Sequence, residues 1–333
     1  MDETNLPPAM DPAPPLTPPP PGPQRNPMLY GPNGLRAGWR ALIFLVIVAS
    51  IIFLISVIGH YVTRKLGHSP ANTGPLTTLA PGLVASSALP FFAVILAASL
   101  ILGRIEHRKL AHYGLPLRTP FPKHFWEGLL WGFIAISGVL FLIFLFHGFR
   151  ITGIDTYGSA LALSTVEWTL AFAAVGLSEE FTFRGYMQFT LTTGIGFWLA
   201  AILLSGLFAV AHFTNPGETP LGLLQVFAFG IFACVALQRT GNLWWPIGFH
   251  AAWDWGQTFF YGVPDSGLKA SHNFLRSEFR GPHWLTGGST GPEASIFSLV
   301  ALMIASLLVL RRYREVRYPD PGALGLGTGL RGG

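Results

Sequence analysis

The sequence predicts an all-α fold: a polytopic membrane protein built as a bundle of about eight transmembrane helices. Three observations carry this. Of the 333 residues, 50% are apolar and only 11% charged, whereas a soluble domain carries about 25% charged residues. The apolar residues fall in runs that approach or exceed the length of a bilayer span, about 20 residues, and the mean hydropathy is +0.47. The basic residues cluster beside those runs, at 104–109 and 311–317, as topology signals do. The same clustering argues against a nucleic-acid partner, because the net charge of +5 lies along membrane flanks rather than on one binding face.

The first 36 residues hold 12 of the 27 prolines. Such a stretch lacks helix donors and core-forming side chains, so a disordered, Pro-rich tail is expected over 1–36. Its start, "MDETNLPPAM", is acidic and has no apolar stretch, unlike a signal peptide. The apolar runs follow at roughly 41–62, 82–103, 126–147, 164–188, 195–213, 220–238, 244–262 and 294–311. They define a transmembrane domain over 37–315, followed by a disordered tail over 316–333. The loop at 264–292 is polar and rich in Gly and Pro, so it is expected at the surface. With the N-terminus cytoplasmic, inner segments carry 14 Lys and Arg and outer segments 6. An integral protein of the inner or plasma membrane, with both termini cytoplasmic, is therefore expected. The single cysteine, Cys234, lies in an apolar run and reads as a small buried residue.

Few acidic residues lie well inside these runs: Glu179, Glu180 and Asp254, joined by Arg184, His212 and His250. A charge at the centre of a spanning helix costs about 2.5–3.5 kcal/mol on insertion scales. A cluster of them therefore points to a functional site, against the plainer reading of a buried pair that fixes helix packing. Glu180 and Arg184 are spaced i, i+4 and could form such a pair, but Glu179 points about 100° away. His250 and Asp254, also i, i+4, put imidazole and carboxylate side by side. Convergence of the three elements hides their charges more cheaply than three separate burials.

Two imidazoles, several carboxylates and an Arg are the parts of metal-assisted hydrolysis. A divalent ion, Zn2+ foremost, would acidify water, and a free glutamate would take the proton and return it to the leaving amine. No serine or cysteine is placed beside a base as an equally good nucleophile. Intramembrane Glu, His and Asp also serve proton relays and transporters, which stays open as an alternative.

Glu179-Glu180-x-x-x-Arg184, Phe208-x-x-x-His212 and His250-x-x-x-Asp254 resemble, in order, the signature of the CAAX protease and bacteriocin-processing (CPBP, or Abi) family, which includes the type II CAAX prenyl endopeptidases. The resemblance covers roughly 40–315, and "GRIEHRKLAHYGLP" and "WEGLLWG" also look like the family. It implies a protease-like domain of about eight transmembrane helices that hydrolyses a membrane-associated, in some relatives prenylated, protein or peptide. Carried over, it makes Glu179 the general base, with Glu180 and Arg184 holding the site together or binding the substrate main chain. His212 and His250 would ligate a metal or stabilise an oxyanion, and Phe208 would pack beside His212. Where prenyl endopeptidases often carry Asn, this chain has Asp254, which suits a cation or an orienting role. Parts of the family are linked to bacteriocin immunity, so a catalytically silent immunity or scaffold protein is the alternative.

Depth poses a difficulty. With the turn between the fourth and fifth runs near 192–194, Glu179 lies about 20 Å and His212 about 28 Å from it at 1.5 Å per residue. His250 is only about 12 Å into its run. A shared site requires the hairpin around Gly185, Gly194 and Gly196 to protrude or kink.

Overall fold

The computed structural model describes residues 26–31, 34–65, 78–117, 121–215 and 217–319, with no side chain given at 121 and 122. Most of the two expected tails lies outside these residues. The chain divides at Arg36. In the first unit β1 (Tyr30–Gly31) and β2 (Gly34–Leu35) pair antiparallel, so its described part is a small hairpin rather than featureless chain.

The second unit is helical. Its order is α1 (Ala37–Lys65), β3 (Thr78–Leu79), α2 (Pro81–Ile105), a 3-10 turn at Leu110–Tyr113, α3 (Phe121–Leu145), β4 (Phe149–Ile154) and α4 (Gly158–Arg184). Then come α5 (Tyr186–Ile195), α6 (Phe197–His212), α7 (Pro220–Thr240) and α8 (Trp244–Asp254), which runs on as a π-helical turn to Phe260. β5 (Lys269–Ala270), β6 (Leu275–Phe279), α9 (His283–Thr286) and α10 (Ile296–Arg312) complete it. Among the described residues five helical stretches are long and apolar enough to cross a membrane: Ala37–Lys65, Pro81–Ile105, Lys123–Leu145, Gly158–Ile195 and Pro220–Thr240. The other three expected spans are helical too, but shorter, with α6 at 16 residues and α10 at 17.

Local chemistry sets the ends. Pro220 opens α7 behind Thr219, whose hydroxyl accepts from the Gly222 N–H, and Gly241 closes it in the left-handed region, the ordinary start and stop signals of a helix. Ser295 caps α10 in the same way through the Phe297 N–H. The outer face of α1 is lipid-like: Leu45, Val46, Phe53, Leu54 and Ile55 are exposed. Exposed Trp39, Trp126 and Trp198 stand near the starts of α1, α3 and α6, the place of an interfacial aromatic belt. The protein is an integral, polytopic, all-α membrane protein.

The innermost contact is α3 on α8. A Cβ at Gly128 would lie 2.1 Å from the Trp245 carbonyl, one at Gly132 2.2 Å from that of Phe249, and one at Gly248 2.2 Å from that of Phe125. The two backbones therefore touch, as small-xxx-small helices do in lipid. At one end of the unit Glu106 accepts from Arg40 Nη2 at 2.5 Å and from the Tyr186 hydroxyl at 2.6 Å, tying α1, α2 and α5 together. There Tyr318 is buried and the Arg317 N–H donates to the Gln238 carbonyl, so ordered packing continues past the expected boundary at 315.

At the opposite end the loop expected at the surface is folded back. β5 pairs parallel with β3, and β6 pairs antiparallel with β4 from Phe149↔Phe279 to Ile154↔Leu275. Leu285, Thr286, Thr290, Glu293 and Ser295 are buried. Gly291, at φ +112, lies so close to Pro264 that a Cβ would fall 2.1 Å from its carbonyl. Glycine's left-handed freedom and lack of a side chain let the end of this segment pack densely, while His272, Arg276, Glu278, Arg280 and Trp284 stay exposed, so the loop lies at the surface as expected but is ordered rather than free.

Candidate active site

Glu179, Glu180 and Arg184 lie near the end of α4. Gly176, one turn earlier, lets α8 approach: a Cβ there would lie 2.9 Å from the Ile247 carbonyl oxygen. This contact seats His250 against Glu180. The Nδ1 of His250 is 2.9 Å from Glu180 Oε1, and Arg184 Nη1 is 3.4 Å from the same oxygen. An ionised carboxylate only accepts, so Nδ1 carries the proton and donates. That directs the other ring nitrogen, Nε2, towards Glu179 Oε2 at 3.8 Å and Asp254 Oδ2 at 3.4 Å. One imidazole thus stands among three carboxylates.

The two glutamates are unequal. Glu180 is fully buried, whereas the side chain of Glu179 is 33% exposed and lines a cavity of about 630 Å³ together with His212, His250 and Asp254. Arg184 is fully buried and lies 4.5 Å from the centre of the Phe208 ring, a cation–π contact. Phe208 also meets both imidazoles, its ring centre 4.6 Å from that of His212 and 6.5 Å from that of His250. His212 Nδ1 is 2.9 Å from the Phe208 carbonyl; the carbonyl can only accept, so Nε2 of a neutral His212 is left as an acceptor.

The depth difficulty resolves through the position of the turn. It falls at Gly196, φ +82, rather than at 192–194. Counted to Gly196, Glu179 is 17 residues before it and His212 is 16 after it, so both lie about 25 Å away along the helices. The chain also breaks at Gly185, where α4 gives way to α5. His250 is six residues into α8, about 9 Å, so the α5–α6 turn reaches further from the site than the start of α8 does.

The expected metal-ligand trio is not gathered. Among the described residues no three His, Cys, Asp or Glu side chains are arranged to hold an ion. His250 and Asp254 touch, but His212 turns Nδ1 to its own helix backbone and His250 gives Nδ1 to Glu180. Both Nδ1 atoms are held by neighbours, which leaves each Nε2 facing the cavity, the orientation that a metal-ligating imidazole also takes.

The cavity has a carboxylate rim that sequence reasoning missed. Asp265 and Glu293 line it, as does Gln225 of α7. Glu293 accepts from the Ser266 N–H at 2.5 Å, Asp265 accepts from the Thr258 hydroxyl at 2.8 Å, and the Thr290 hydroxyl donates to the Gly217 carbonyl at 2.6 Å. Burial pushes the Glu293 carboxyl up to about 8, with Asp265 adding to the rise, and burial also pushes Asp265 up. A raised carboxyl favours the folded state while it is protonated. Its contribution is whole below the ordinary value of 4.5 and is lost as the pH climbs towards 8. Glu293→Gln is expected to flatten the fall in thermal midpoint between pH 5 and pH 8.5 by roughly 5 °C, read by thermal unfolding in detergent. An unchanged pH slope would show that this carboxyl stays ionised.

Residues 161–256 match the family model described as Type II CAAX prenyl endopeptidase Rce1-like. No curated protein matches the chain. The matched segment runs from α4 through α8 and contains Glu179, Glu180, Arg184, His212, His250 and Asp254. Over this segment the chain is similar to the Rce1-like type II CAAX prenyl endopeptidases.

Proposed function

We propose that the chain cleaves a peptide bond near the C-terminus of a membrane-associated substrate, with Glu179 activating the attacking water. The observation that carries this reading is the imidazole of His250, fixed at Nδ1 by the buried Glu180 and presented through Nε2 to the accessible Glu179. In this scheme water sits between Glu179 and the two imidazoles. Glu179 takes a proton as the water oxygen attacks the carbonyl carbon. The tetrahedral intermediate collapses when Glu179 returns that proton to the leaving amine. Glu180 and Arg184 act through His250, holding its tautomer and ring orientation. His212, when protonated, offers its Nε2–H to the developing oxyanion. No step is routed through a metal. The cavity wall is apolar on the side of α2 and α4, with Val84, Phe91, Phe172 and Val175, which suits a lipid-modified peptide such as a prenylated CAAX terminus.

The test is cleavage in liposomes of a prenylated C-terminal peptide and its unprenylated counterpart, with products identified by mass spectrometry. Wild type is expected to release the tripeptide from the prenylated peptide, and His250→Ala to lose at least a hundredfold in rate. Chelation is expected to change the rate by less than about twofold, with a substoichiometric metal content in the purified chain, since no three His, Cys, Asp or Glu side chains among the described residues are arranged to hold an ion. Stoichiometric zinc, removed together with activity, would restore His212, His250 and Asp254 as ligands. A wild type that cleaves neither peptide would favour the silent immunity or scaffold reading.

A further inference from the structure

A second cavity, of about 500 Å³, lies between α3 and α10, at the end of the unit opposite the folded-back loop. Its walls are apolar: Leu130 and Trp131 come from α3, Trp245 from α8, and Leu308 from α10. Leu130 and Leu308 are exposed, at 59% and 40%, so the groove opens sideways to lipid. Its mouth is basic. Arg311 and Arg312 line it at the last turn of α10, and the side chain of Arg312 is 65% exposed.

The one carboxylate at the mouth is largely engaged. Glu127 accepts from the Tyr313 hydroxyl and has one oxygen 3.9 Å from Arg312 Nη2. Arg314 follows in the chain, then Glu315, which pairs with Arg317 at 3.1 Å, so the local charge stays positive. The level is that of lipid headgroups. Trp126, 65% exposed, sits in the first turns of α3, and the exposed Trp39 and Trp198 open α1 and α6 at the same end. Tryptophan collects at the membrane–water boundary.

We propose that this groove binds one anionic phospholipid, an acyl chain lying between α3 and α10 and the phosphate held by Arg311 and Arg312. Apolar walls set within the bilayer and two guanidiniums at headgroup height match the two halves of that ligand. Arginine forks suit phosphate oxygens better than point charges do. The site is separate from the Glu179 cavity, and its occupancy does not depend on the protease reading.

The experiment delipidates the full chain in mild detergent and offers phosphatidylglycerol and phosphatidylcholine in equal amounts, with native mass spectrometry counting what stays bound. Wild type is expected to retain one phosphatidylglycerol per chain in preference to phosphatidylcholine. Arg311→Gln with Arg312→Gln is expected to lower that retention about 25-fold, since each cation at the surface contributes roughly fivefold. Arg311→Lys with Arg312→Lys is expected to keep most of the preference, which separates charge from damage to the fold. Leu308→Trp, which fills the groove, is expected to lower retention of both lipids. Equal retention of the two lipids, or a preference untouched by the Gln pair, would overturn the proposal. So would binding of inorganic phosphate as tight as that of the lipid, or a dimer that Leu308→Trp dissolves.

Discussion

Replacing Glu179 by Gln is expected to lower the cleavage rate about a thousandfold while leaving the protein folded. Proton transfer by a placed side chain contributes roughly 10²–10⁴-fold, and Gln keeps the shape and hydrogen-bonding reach of Glu without its basicity. The fold should tolerate the change, because the Glu179 side chain is 33% exposed and its nearest charged partner, His250 Nε2, is 3.8 Å away. Loss of stability should stay within about 1 kcal/mol. The loss should fall on kcat rather than on KM, since the base acts in the transition state and not in holding the substrate. Glu179→Asp keeps the base but draws it back by one methylene, so an intermediate loss of about a hundredfold is expected. Retention of activity within tenfold in Glu179→Gln would move the base elsewhere. Asp254, 3.4 Å from the same imidazole nitrogen, would then be the next candidate.

The sequence speaks clearly where chemistry repeats at helical spacing. Eight apolar runs read directly from composition, and all eight are helical. The pairs Glu180 with Arg184 and His250 with Asp254 were visible because i, i+4 neighbours share a helix face, and both pairs touch. What escaped depends on contacts between distant segments. Asp265 and Glu293 come from a stretch whose Gly, Pro and polar content reads as surface loop. They line the cavity because Gly291 packs on Pro264 and Thr290 bonds to Gly217, contacts with no signature in local periodicity. The GxxxG pair Gly128 and Gly132 sat in plain view in "WEGLLWG", but only the approach of α8 reveals which face needed it. The turn at Gly196 was displaced by two or more residues for a similar reason. "TLTTGIG" holds two glycines, and the helix stops at the one with a positive φ. The orientation of His212 was also out of reach, because a bond from a ring nitrogen to its own backbone depends on rotamer.

Removing one member of the Glu180–Arg184 pair should destabilise the protein by about 3–5 kcal/mol, and the order of the variants carries the test. Both side chains are fully buried, and the 3.4 Å separation is long for a charge-assisted bond. Arg184 Nε and Nη2 and Glu180 Oε2 find no hydrogen-bond partner. The pair as a whole therefore gives little net stability, since desolvation offsets much of the attraction. Each charge alone is worse off. Glu180→Ala leaves Arg184 with the faces of Phe208 and Phe183 and the neutral thiol of Cys234 but no carboxylate, and it also removes the acceptor of His250 Nδ1. Arg184→Met leaves Glu180 with His250 still donating to it. Glu180→Ala is thus expected to be the most damaging, lowering the thermal midpoint on the order of 10 °C, with Arg184→Met next. The double variant Glu180→Gln with Arg184→Met removes both charges, keeps an oxygen acceptor for His250 and should recover most of the loss. A double variant no more stable than Arg184→Met alone would mean that the charges are not coupled. Activity should follow a different order, because the double variant keeps the orientation of His250 without the ionic pair. If it cleaves within about tenfold of wild type, the pair supports the site by geometry; if it fails while remaining stable, the carboxylate charge of Glu180 acts on the imidazole itself.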